Sequence, residues 1–213
     1  MQTASLTDAD RAYKLILEKI IRAEMEPGSL IQEPVLMDSL GLGRTPIREA
    51  LKRLQVERFV TVSPRRGIFV TPIEIRDINH IYEVRMELEA LVIRLAANRA
   101  TPEQIAQLEA MVDEQNLNSL QTPYEVMDLD RGFHFLSYEA SQNQYLQADL
   151  KRYYFMSQRI WYYGLRTMKL IEIGIREHVD IVSAIKAGDS QRAEKAIRTH
   201  ISNFQQNIKE HLV

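Results

Sequence analysis

A turn that feeds straight into a basic, one-sided helix constrains this fold more than any other stretch: Gly41-Leu42-Gly43-Arg44-Thr45-Pro46-Ile47-Arg48-Glu49-Ala50-Leu51-Lys52-Arg53-Leu54. Ile47, Leu51 and Leu54 stand at i, i+4 and i+7, so one face is apolar and packs inward. Arg44, Arg48, Lys52 and Arg53 project from the rest. Thr45 suits the cap of such a helix and Pro46 its first position, where a missing N–H goes unneeded. A short helix anchored on one side and basic at its exposed start fits a DNA major groove. Taken alone, the stretch also fits a solvated amphipathic helix.

The flanking segments favour the groove. Phe59-Val60-Thr61-Val62-Ser63 and Ile68-Phe69-Val70-Thr71 are rich in strand formers, and Pro64-Arg65-Arg66-Gly67 between them is a turn. Upstream, Leu15, Leu17, Ile20 and Ile21 predict a first helix within residues 8–25, which Pro27-Gly28 ends. Val35, Leu36 and Leu40 supply a short second helix. Three helices and a two-stranded wing, a winged helix-turn-helix, thus fit into residues 1–72. Residues 42–66 hold seven basic side chains against Glu49 and Glu57, although the whole chain has a net charge of −2. A local basic patch on an acidic protein points to one face recognising one double-stranded DNA site.

The first third resembles the DNA-binding domain of the GntR family of bacterial transcription regulators. The resemblance rests on Pro27-Gly28, on Arg44-Thr45-Pro46-Ile47-Arg48-Glu49-Ala50-Leu51, and on Pro64-Arg65-Arg66-Gly67 at the wing tip. It departs from the family at Gly43, where a serine is usual, and at Glu33-Pro34-Val35. The glycine removes a hydroxyl able to contact phosphate and leaves the helix cap to Thr45 or to backbone alone.

The 213 residues allow one or two domains, and 45% apolar content is enough for packed cores. The absence of cysteine excludes disulfides, Cys-ligated zinc and thiol catalysis, and fits a reducing compartment. No run of 18 apolar residues and no basic-then-apolar leader is present, so a soluble cytoplasmic protein with no membrane span is expected.

All seven prolines lie at or before Pro123, and beyond Thr71-Pro72 the chain reads as long helices. Thr101-Pro102 and Thr122-Pro123 each open one, Ser141-Gln142-Asn143 restarts another, and Gly188-Asp189 turns into the last. Six helices, including one over about 102–119, predict an all-α antiparallel bundle over residues 73–213. This region resembles the FCD effector-binding bundle of FadR-type GntR regulators. The matching segments are Arg85-Met86-Glu87-Leu88-Glu89, Phe133-His134, Ala140-Ser141-Gln142-Asn143, Glu177-His178, Ala184-Ile185-Lys186-Ala187-Gly188-Asp189 and His200. Six helices rather than seven point to the shorter, VanR-like branch.

Asp130, His134, His178 and His200 form a candidate metal site. Asp130 and His134 are i, i+4 and share one helix face. His178 lies 10 residues before Gly188 and His200 12 after it, about 15 and 18 Å along two antiparallel helices and so nearly level. Three imidazoles and a carboxylate suit a divalent transition metal (Zn, Ni, Mn or Fe) with a position left for water or a ligand carboxylate. The resemblance implies the same four positions as ligands, one metal per chain, and a small organic acid completing the coordination from the effector pocket. His80 and His211 have no such partner and read as ordinary helix residues.

The helix carrying Arg85 lines that pocket in the resembled domain, and a guanidinium there matches a carboxylate in bidentate fashion. An ion pair to Glu83, Glu87 or Glu89 is the other reading, and Arg159 is a second candidate of the same kind. Eleven of the 16 aromatic residues fall between Tyr124 and Tyr163, notably Tyr153-Tyr154-Phe155 and Trp161-Tyr162-Tyr163. Consecutive rings on a helix cannot all face one way, so each triplet serves two surfaces.

These features predict a homodimeric, effector-responsive regulator on a near-palindromic operator, two-fold protein symmetry demanding two-fold DNA symmetry. Arg44 and Arg48 are assigned to base contacts; Thr45, Lys52, Arg65 and Arg66 to phosphates; Gly67 to close approach of the wing backbone. A metal sensor is one alternative. A metalloenzyme is another, opposed by the absence of paired Glu-x-x-His motifs and of a general base beside the proposed metal.

Overall fold

Thr7 opens the first helix: its hydroxyl accepts the Asp10 backbone N–H at 3.1 Å, capping α1 (Asp8–Ile21). The structure, a computed structural model, describes residues 6–164 and 168–212, apart from the side chains at 75, 164–173, 211 and 212. The chain divides into two compact units, Met1–Ile75 and Arg76–Val213.

In the first unit Ala12, Ile16, Leu17, Ile20 and Ile21 form the buried stripe of α1. Leu15, expected inside, is 38% exposed, because the 12/16/20 spacing sets the buried face. The helix also stops at Ile21, well before Pro27, with Ala23 in the left-handed region. Next come β1 (Leu30–Ile31) and α2 (Glu33–Leu40), closed by Gly41 at φ 63°, and then α3 (Arg44–Val56). Gly43 is the N-cap of α3 and no side chain closes it. The expected Thr45 cap therefore does not form: the helix begins two residues earlier, putting Thr45 and Pro46 inside its first turn. Ile47, Ala50, Leu51 and Leu54 are buried, and α3 packs on α1. Arg53 does not project freely as expected. It pairs with Asp10 at 2.7 Å, and its guanidinium lies 4.0 Å from the centre of the Tyr13 ring.

β2 (Val60–Ser63) and β3 (Gly67–Val70) form the wing, and β1 pairs antiparallel with the other edge of β3. The sheet is three-stranded, order β1-β3-β2, rather than two-stranded. Two residues of β1 are too few for alternation to show in sequence. Gly67 has φ +117°, a backbone shape that favours glycine; a Cβ there would lie 2.9 Å from Leu30 Cδ1, the end of an exposed side chain that can move aside. Gly67→Ala is expected to destabilise the winged unit by about 1–3 kcal/mol, read as a lowered Tm in its unfolding transition; an unchanged Tm would mean the turn relaxes freely.

The second unit contains α4 (Ile75–Arg99), α5 (Pro102–Met111), α6 (Glu114–Ser119), α7 (Pro123–Ala140), α8 (Gln144–Gly164), α9 (Met168–Lys186) and α10 (Ser190–Leu212). Thr101 with Gln104, and Thr122 with Glu125, form the capping boxes of α5 and α7. The single helix expected over 102–119 is divided, because Asp113 accepts the Gln115 N–H at 2.9 Å and starts α6. Seven helices are therefore described rather than six, and the shorter branch does not follow from the count. Gly188, at φ 68°, turns α9 back onto α10. Among the described residues no helix is long and apolar enough to cross a membrane.

Candidate nucleic-acid interface and metal centre

Arg44, Thr45, Arg48 and Lys52 are exposed on α3, and Arg65, Arg66 and Gly67 are exposed at the wing turn. Arg65 itself adopts a left-handed φ of 63°. Among the described residues Arg44, Lys52, Arg65 and Arg66 make no ion pair. Arg48 does: its Nε donates to Glu33 Oε2 at 2.8 Å. Glu33, at the start of α2, thus holds Arg48 in place at the α3 surface.

In the second unit Asp130 and His134 on α7, His178 on α9 and His200 on α10 converge, and all four are buried. One ligand atom from each lies within 4.8 Å of all the others. His178 Nε2 is 3.4 Å from His200 Nε2 and 3.4 Å from Asp130 Oδ1, and His134 Nε2 is 3.7 Å from the same oxygen. Bonds of about 2.1 Å in a tetrahedron set neighbouring ligand atoms about 3.4 Å apart, so these separations fit a metal.

The outer contacts fix which nitrogens face inward. His200 Nδ1 lies 2.9 Å from Glu177 Oε2, whose other oxygen accepts from Asn203 Nδ2 at 2.7 Å. His134 Nδ1 lies 2.9 Å from Glu89 Oε2, a close contact in which the N–H does not align as a hydrogen bond. Carboxylates beside Nδ1 keep the proton there and leave Nε2 as a bare lone pair. Tyr154 Oη donates to Asp130 Oδ2 at 2.5 Å, leaving Oδ1 for the centre. The His178 ring stacks on Phe133 with centroids 3.8 Å apart. The Nε2 lone pairs of His134 and His200 beside the Asp130 carboxylate are complementary to a cation, so the four residues fit a divalent transition metal.

Burial holds the His178 imidazole well below its ordinary value near 6.5, reinforced by His200 and His134. The unfolded chain therefore takes up the proton first, and stability present above about pH 6.5 falls as pH drops below it. Thermal unfolding of metal-free protein from pH 8 to pH 5 is expected to show Tm falling only on the acid side of 6.5. A flat profile would contradict the burial of a neutral imidazole.

Above Asp130, His134 and His200 lies a narrow cavity of about 10 Å³, partly open to solvent. Its polar wall is Arg85, Ser157 and Gln158, and its aromatic wall is Tyr82, Trp161 and Phe204. Arg85 Nε donates to Glu89 Oε1 at 2.6 Å and Nη1 to Ser157 Oγ at 2.8 Å. Burial pushes the Glu89 carboxyl up, but Arg85 and then His134 outweigh it and hold it at about 2. Of the two readings of Arg85, the ion pair to a neighbouring glutamate is therefore present. It occupies the Nε edge, so a fork using Nε is closed to a ligand, and the Nη2 end remains. Arg159 is 6% exposed but does not line the cavity. Burial lowers it to about 10, partly offset by Asp77. The aromatic triplets divide as expected: Tyr154 and Trp161 face the cavity, while Tyr163 is 54% exposed. His80 is exposed, and the side chain of His211 is outside the described residues.

Sequence reasoning missed Glu177, Tyr154 and Gln158 as parts of this site. Only Glu89 carried a spacing signal, standing four residues after Arg85 on one helix face.

Residues 8–70 match the family described as bacterial regulatory proteins, gntR family, and residues 80–203 match the FCD domain. The chain is 32% identical over 184 residues to the Nta operon transcriptional regulator of Aminobacter aminovorans, covering 86% of each. It is 24% identical over 199 residues to the transcriptional repressor RspR of Escherichia coli K12, covering 93% of this chain and 87% of that one. Among solved structures, Escherichia coli McbR/YncC shares the fold, with a TM-score of 0.87 at 19% identity over 98% of this chain and 100% of that one. The relatives are regulators and not enzymes. With a basic winged helix ahead of a helical FCD unit, this chain belongs to the GntR family of bacterial transcription regulators.

Proposed function

We propose that this regulator binds a near-palindromic operator as a homodimer, and that its operator affinity is controlled by a small organic acid bound in a metal-containing helical unit. Residues 1–72 are the DNA-binding domain in this reading, and 73–213 the effector-binding, metal-binding and dimerisation domain. The observation that carries it is the convergence of three imidazole Nε2 atoms and one carboxylate beneath a cavity walled by Arg85. Asp130, His134, His178 and His200 would hold Zn, Ni, Mn or Fe(II). When bound, such an ion supplies a coordination position that attracts an anionic oxygen. Arg85 offers its remaining guanidinium nitrogen to the same carboxylate, and the aromatic wall excludes water from the rest of the ligand.

On the DNA side, Arg44 and Arg48 read base edges, Thr45, Lys52, Arg65 and Arg66 take phosphates, and Gly67 lets the wing backbone come close. An acid shifts operator affinity only as far as it binds the DNA-competent and incompetent states differently.

The test is fluorescence anisotropy on a duplex selected by the wild-type chain from a random library. Acetate, lactate, malate and citrate are titrated into metal-loaded and chelated protein. One acid is expected to change Kd by about 5- to 150-fold, and only with metal present. A response to metal alone would make the metal the signal, and no response to any acid would defeat the proposal.

A further inference from the structure

We propose that the cavity selects carboxylates that also carry a hydrogen-bond donor, and that the side-chain carbonyl of Gln158 reads that donor. This rests on the reading that a small acid occupies the cavity.

Gln158 lines the cavity and is 1% exposed. Its Nε2 donates to the Met127 carbonyl at 3.4 Å. That contact sets the amide's orientation, since the reverse would place two oxygens face to face. The carbonyl end, Oε1, is left buried with no hydrogen-bond partner among the described residues. Among the described residues, the hydroxyls of Ser157, Tyr154 and Tyr82 on this wall are already engaged. Ser157 Oγ accepts from Arg85 and donates to the Tyr153 carbonyl at 3.0 Å. Tyr154 Oη donates to Asp130, and Tyr82 Oη accepts from Trp161 Nε1 at 3.3 Å while keeping its own proton to donate. Oε1 is thus an unmet acceptor on a cavity wall shared with an arginine that takes acceptors. A bare carboxylate satisfies Arg85 and leaves Oε1 unmet; a hydroxyl or ammonium on the same small molecule satisfies both. Sites built around a buried polar group discriminate strongly against analogues that lack its partner.

Calorimetric titration of the metal-loaded full chain with matched pairs tests this. Lactate against propionate and malate against succinate probe a hydroxyl; alanine against propionate and aspartate against succinate probe an ammonium. In wild type, the donor-bearing member of one arm is expected to bind at least about tenfold tighter, or about 1.4 kcal/mol. Gln158→Met keeps an unbranched side chain without the acceptor and should reduce that preference to about twofold or less, while Gln158→Glu retains it. Gln158→Leu replaces Gln158→Met should the latter not retain metal. Equal binding within every wild-type pair overturns the inference and leaves the carboxylate reading standing. So does a preference that survives in Gln158→Met, since chelation of the metal by the hydroxyl would then be its source. No binding by any acid overturns the carboxylate reading and this inference with it.

Discussion

A chain carrying Arg44→Ala and Arg48→Ala together loses selective duplex binding while keeping its fold. Each arginine that reads a base edge contributes about 1–3 kcal/mol, so the pair weakens binding to the selected duplex by about thirtyfold to twenty-thousandfold. The fold is preserved because both side chains are exposed on α3 and neither belongs to its buried stripe. The double substitution also removes the surface ion pair of Arg48 with Glu33 at 2.8 Å, a kind worth at most about 1 kcal/mol. Anisotropy on selected and scrambled duplexes separates the roles. Loss on the selected duplex alone identifies base reading, whereas equal loss on both would reassign the arginines to phosphates. Selective binding within threefold of wild type would remove α3 from the interface.

The second large effect is in the helical unit. His134→Ala is expected to lower metal content from about one equivalent per chain to under a tenth, and to abolish stabilisation by added metal. In wild type, metal at a hundredfold excess over its Kd adds about 2.7 kcal/mol, which is about 5–10 °C in the transition of that unit. The variant should show no metal-dependent shift and weaker acid binding, with duplex binding by the winged unit retained. A metal-dependent shift of wild-type size in His134→Ala would end the four-ligand account.

Helical geometry explains why the convergence of Asp130, His134, His178 and His200 was legible in sequence. Asp130 and His134 follow from one turn of α7, and the His178–His200 pairing follows from counting rise on either side of Gly188; their Nε2 atoms meet at 3.4 Å. What was hidden depends on packing between segments far apart in the chain. Tyr154 reaches Asp130 across α8 and α7, and Gln158 is distinguished only by what its neighbours leave unpaired. Arg159 and Arg85 read alike in sequence, yet only Arg85 reaches the cavity, because a helix position alone does not say which neighbour it meets. The wing was legible from its strand formers and basic turn. Its third strand was not, since Leu30 and Ile31 are held by pairing with Phe69 and Ile68 rather than by any pattern of their own. The division at Asp113 came from a local cap inside an otherwise continuous helical run.

Anomalous scattering from crystals of protein purified without chelator or metal-affinity resin, collected across the absorption edge of the metal present, tests the central claim most directly. The account predicts one peak per chain, about 2.0–2.2 Å from Nε2 of His134, His178 and His200 and from a carboxylate oxygen of Asp130. A peak elsewhere, or none in crystals soaked with zinc or nickel, would contradict it.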